Sequence, residues 1–79
     1  MYNIKKHDLI HEFPSYRDKI NEMKTGSNRF RKLYEEYQDA DLQIHRIEEG
    51  ETPTTDDHLN ELRIKRVHLK DILYKMLVQ

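Results

Sequence analysis

Two apolar stripes in this chain mirror each other across a proline. Phe30, Leu33, Tyr37, Ala40, Ile44 and Ile47 recur at spacings of three and four, and Leu59, Leu62, Arg66, Leu69, Leu73 and Met76 repeat that rhythm. Each residue of the first run stands as far before Pro53 as its mate stands after it: Phe30 matches Met76, Leu33 matches Leu73, Tyr37 matches Leu69, Ala40 matches Arg66, Ile44 matches Leu62 and Ile47 matches Leu59. Such spacings put side chains on one helix face, and two mirrored faces are what antiparallel helices need to meet along their length. Two heptad stripes mirror somewhere at about one offset in seven by chance. Here the mirror point falls inside Gly50-Glu51-Thr52-Pro53-Thr54, the one stretch with turn chemistry.

The pattern therefore predicts helix two over about 28–49 and helix three over about 55–77. Gly50 ends the first, Pro53 blocks its continuation, and Thr55 caps the second with Asp56 and Asp57 in its first turn. A shorter helix one is predicted over about 8–24, with Asp8 as N-cap and Leu9, Phe13, Tyr16, Ile20 and Met23 as its apolar face. Pro14 lies inside it. Its ring removes a donor and clashes with the carbonyl of Ile10, so the helix kinks there or restarts with Pro14 at its first position; Phe13, pushed toward an extended conformation, favours the restart. Gly26 is expected to take a left-handed C-terminal conformation, and Ser27 or Asn28 to cap helix two. Helix one's stripe mirrors that of helix two about the Gly26–Ser27 step, which predicts that it folds back on helix two. No alternating β-branched run is present. The expected fold is all-α: one domain over 1–79, a long antiparallel, coiled-coil-like helical hairpin with a shorter N-terminal helix.

Composition narrows what such a fold can do. Seventy-nine residues lie near the small end of what folds unaided, and without cysteine neither a disulfide nor a thiolate metal site can help. A net charge of −1 argues against general polyanion binding. No apolar run is long enough to span a bilayer, and Met1 to Lys6 lack signal-peptide character. A cytoplasmic protein without membrane association is expected, for which absence of cysteine is suited.

Two polar or exposed features stand out from the seam. Ala40 opposes Arg66, where a small residue lets the arginine stem cross the interface. Asp41 is adjacent, on the edge nearest Arg63 and Arg66, and is expected to pair with one of them and hold the register, although a plain exposed ion pair would contribute little. His45, four residues on from Asp41, is read as local helix support. Helix three also carries a second row, Ile64, Val67, Tyr74 and Val78, well round from Leu62, Leu69 and Leu73. A two-helix hairpin covers one face only. With helix one assigned to helix two, the second row is left for a partner, the simplest being a second copy of the chain.

Several segments resemble the YdcH-like family of small bacterial proteins: His7 to Asp18 with its Phe13-Pro14-x-Tyr16; Phe30, Leu33, Glu36 and Asp41 to Glu48; and Leu62 to Leu77 with its Leu69-Lys70-Asp71. The likeness runs over about residues 7–77. It implies a helical hairpin, a bacterial origin and an unknown function, and it supplies no catalytic residues. The chain departs from the usual pattern at Asn28, where a helix-starting proline is frequent, and at His58, where an acidic residue would complete a capping box with Thr55.

Conventional chemistry finds little footing. His7 and His11 have the spacing of two metal ligands on one helix face, but a third must be borrowed, and solvated histidines are the simpler reading. Ser15 and Ser27 stand where helices begin, as caps rather than nucleophiles. No P-loop pattern occurs. Helix two is net acidic and helix three net basic. Arg63, Arg66 and Lys70 share one edge of helix three, without interleaved aromatics, and form the alternative reading: weak nucleic-acid binding. The expectation is a non-enzymatic protein-interaction module (an adaptor or modulator), with no catalytic residues, cofactor or metal, that self-associates as a homodimer and serves a protein partner the sequence does not name.

Overall fold

The computed structural model describes residues 9–79. Its helices are α1, Leu9–Glu12; α2, Arg17–Gly26; α3, Asn28–Glu48; and α4, Asp56–Leu77; a 3₁₀ turn, Pro14–Tyr16, separates α1 from α2. The long hairpin that the mirrored stripes predict is α3 and α4. The caps follow the chemistry of the sequence. Ser27 is extended (φ −136°, ψ 113°), and its Oγ accepts from the Phe30 N–H at 3.2 Å. Thr55 Oγ1 accepts from the His58 N–H at 3.2 Å. Each satisfies one donor that the first turn of a helix leaves without an intrahelical partner.

Between the two helices the chain closes α3 with a Schellman motif. The Glu51 N–H bonds the Arg46 carbonyl at 2.9 Å and the Gly50 N–H bonds that of Ile47 at 3.0 Å. Gly50 makes this possible at φ +79°, the one positive φ among the described residues.

The N-terminal part breaks at Pro14, as the restart favoured from the sequence has it, but through a 3₁₀ turn, and α2 runs on to Gly26 rather than to about Lys24. Phe13, at φ −128° and ψ 67°, leaves the helical region, because the Pro14 ring does not tolerate a helical residue before it. Pro14 then begins the 3₁₀ turn, where its missing N–H costs nothing. Asp8, the expected N-cap, lies outside the described residues. Gly26 also departs from expectation. It is the last residue of α2, without a left-handed φ, and extended Ser27 makes the corner instead.

The core lies between α3 and α4 in the half away from the Gly50 turn. Phe30, Tyr34, Tyr37, Leu69, Leu73 and Leu77 are buried there with Leu9 and Ile20 from the N-terminal helices, and Leu33 and Met76 pack against them half-buried. Nearer the turn, Ala40, Ile44 and Leu62 are also buried along the seam of the hairpin. The N-terminal helices join the core at its open end.

Candidate interaction surface

The polar step of the seam closes as an ion pair. Arg66 Nη1 donates to Asp41 Oδ1 at 2.8 Å, and the Asp41 carboxylate is buried. Asp41 stands one residue from the mirror mate of Arg66, so this bond sets the helices in the register the stripes predict. Arg63 does not join it. Its Nη2 reaches Glu48 Oε2 at 2.9 Å, further toward the turn. His45 pairs along its own helix with Glu49 at 2.9 Å.

Those bonds bear on the basic edge. Of Arg63, Arg66 and Lys70, Arg66 already holds a buried carboxylate. Phosphate would have to displace an acceptor fixed within the fold, which weakens the counterion-release gain that drives nucleic-acid binding.

The second row of α4 lies outside the seam. Ile64 is 69 % exposed, Val67 52 %, Val78 48 % and Tyr74 41 %. At spacings of three and four the row passes through Asp71, so it reads Ile64, Val67, Asp71, Tyr74, Val78 along one helix face. Helix one was expected to lie on helix two and leave this row wholly open. It leans across both helices instead. Phe13 and Tyr16 meet Tyr74, with ring centroids 5.1 Å and 6.1 Å away and the Tyr16 ring edge-on. The break at Pro14 turns these two rings toward α4, and α2 continues along α3, where Lys24 Nζ stands 4.7 Å from the Tyr34 ring centroid. Tyr74 is therefore partly covered within its own chain. The open part of the row is a shallow groove of about 400 Å³, lined among the described residues by Arg63, Ile64, Val67, His68 and Asp71. Its aliphatic floor with a cation at one end and a carboxylate at the other suits docking of another helix rather than chemistry on a small molecule.

A second cavity of about 350 Å³ lies at the turn, lined in part by Arg46, Ile47, Pro53, Thr54 and His58. Among the described residues, no group of three or more His, Asp or Glu side chains could hold a metal. His7, one of the two histidines considered as ligands, lies outside the described residues. No helix among them is long and apolar enough to cross a membrane. Sequence reasoning missed the burial of Tyr34, which lies one residue beyond Leu33 on α3; the signal available was that an apolar helix one needs a second wall on helix two.

A family model, described as a protein of unknown function (DUF465), matches residues 30–77, which span the hairpin and its turn. No curated protein and no solved structure matches the chain.

Proposed function

The chain belongs to this family of proteins of unknown function, which includes the YdcH-like proteins, and from that premise we propose that it is a small helical protein-interaction module. It acts by presenting the outer face of α4 rather than by catalysis, and its immediate partner is a second copy of itself. The observation that carries the reading is the pair Ile64 and Val67, two branched aliphatics more than half exposed on a helix whose other exposed positions are largely charged. Isolated apolar side chains on a surface are ordinary; adjacent ones that form the floor of a groove mark contact surfaces. Two hairpins laid together through α4 would make a four-helix core. The setting proposed is the bacterial cytoplasm, as a modulator or adaptor for a further protein.

The engagement of Arg66 with the buried Asp41 carboxylate favours this reading over nucleic-acid binding. Sedimentation or light scattering over a concentration series tests it, on wild type and on Val67→Glu. The expected result is concentration-dependent dimer for wild type and monomer for the variant, with helix content unchanged. A wild type that stays monomeric to high micromolar overturns the proposal.

A further inference from the structure

The open groove on α4 has a sequence symmetry that a two-fold partner would read. Its midpoint is Val67. Arg63 stands four residues before Val67 and Asp71 four residues after it, on the same side of the helix. When two copies of a helix cross antiparallel about a two-fold axis, each residue before the axis faces its counterpart after the axis on the other copy. An axis through Val67 therefore sets Val67 against Val67, and sets Arg63 of each copy against Asp71 of the other.

We infer that the chain dimerises with its α4 helices antiparallel and the two-fold axis at Val67, each groove closed by two reciprocal Arg63–Asp71 ion pairs between copies. This rests on the self-association proposed above and names its geometry. Two observations select this axis. First, Phe13 and Tyr16 already occupy the Tyr74 end of the row, so the open stretch ends at Asp71 and is centred on Val67. Second, Asp71 interrupts an apolar row, and a carboxylate in such a row needs a cation opposite. Moving the axis to Asp71 would oppose two carboxylates. Moving it halfway would press Asp71 on Val67. At Val67 alone among these three does Asp71 meet an arginine. Arg63 can serve both bonds, because its guanidinium has five donors and its contact with Glu48 uses one nitrogen. Lys70, three residues beyond Val67, would lay its aliphatic stem over Ile64 of the other copy.

The chain has no cysteine, so a single introduced one reports unambiguously on the axis. Residues on a two-fold axis approach within disulfide range, and those far from it do not. Val67→Cys should oxidise to a covalent dimer in high yield at concentrations where wild type is dimeric, and Val78→Cys, on the same row but distant from the axis, should remain largely monomeric under denaturing conditions. Charge exchange supplies a second readout. Arg63→Asp and Asp71→Arg should each weaken association about tenfold or more, and the double exchange should restore most of it. Circular dichroism confirms that each variant folds. If wild type dimerises but Val78→Cys crosslinks in place of Val67→Cys, or if the double exchange restores nothing, the axis is wrong and the interaction-module reading stands. If wild type is monomeric throughout, both fall.

Discussion

Arg66 reaches across the hairpin to Asp41 at 2.8 Å, with the carboxylate buried and the guanidinium only partly so. The two residues lie 25 apart in sequence, so the bond forms only when α3 and α4 are in register. Sliding one helix by a turn would press Asp41 against leucine. A double-mutant cycle between Asp41→Ala and Arg66→Ala should give a coupling of about 0.5–1.5 kcal/mol in low salt. Arg66→Ala alone should cost more than Asp41→Ala, because it strands a buried carboxylate. Coupling indistinguishable from zero would reduce the pair to a surface contact.

The inner stripe should dominate stability. Leu73 is fully buried in the core that the N-terminal helices join. Leu73→Ala should lower the free energy of unfolding by about 2–4 kcal/mol, from a total on the order of 5–10 kcal/mol for a domain this size. Lys65→Ala, on the exposed side of the same helix, should change it by less than about 0.5 kcal/mol. Urea titration of both variants checks the contrast; equal effects would mean that α4 does not bury the face described.

The two glycines should respond with opposite signs. A Cβ at either would meet open space, so sterics with neighbours decide nothing. Gly50 has a left-handed φ, and Gly50→Ala should destabilise by about 1–2 kcal/mol through backbone strain. Gly26 ends α2 without such a φ, and Gly26→Ala should stabilise by about 0.5 kcal/mol by narrowing the unfolded ensemble. Thermal melts of both variants suffice. A destabilised Gly26→Ala would show that the left-handed cap expected from sequence forms after all.

The docking of the N-terminal helices should be separable from the hairpin. Phe13→Ala removes the ring nearest Tyr74. Hydrogen exchange should then quicken across α1 and α2 while the central turns of α3 and α4 keep their protection. Uniform loss of protection along the whole chain would show instead that the hairpin does not stand without that contact.

Much of this architecture is legible in the sequence, and the reasons are local. Ser27, Gly50 and Thr55 announce helix ends because each supplies a group or a conformation that a helix terminus lacks. The mirrored spacing places Asp41 beside Arg63 and Arg66, and the structure pairs it with Arg66. What escaped depended on a third body. Whether Leu33 or Tyr34 is the more deeply buried is decided by where α2 lies, not by the pairing of α3 with α4. Tyr74 belongs by spacing to the open row, yet the direction in which Pro14 redirects Phe13 and Tyr16 determines its cover. Arg63 pairs with Glu48, where the sequence offered Asp41 to either arginine; long side chains on adjoining edges reach more than one acceptor, which heptad positions do not resolve.

The separation between the Gly50 turn and the main core has a kinetic meaning. Pairs next to a tight turn come together at small loop-closure cost, but here they comprise an alanine, two ion pairs and four aliphatic residues, of which Ile47 and Leu59 are only half-buried. The large apolar gain waits at Phe30, Leu73 and Leu77, at the far end of the zipper, and it is completed only when Leu9 and Ile20 arrive. A half-closed hairpin thus has the entropy loss of its ordered turns with little burial to offset it. The chain should populate no stable partly zipped species, and it should fold in a single exponential phase whose transition state already holds both ends of the hairpin together.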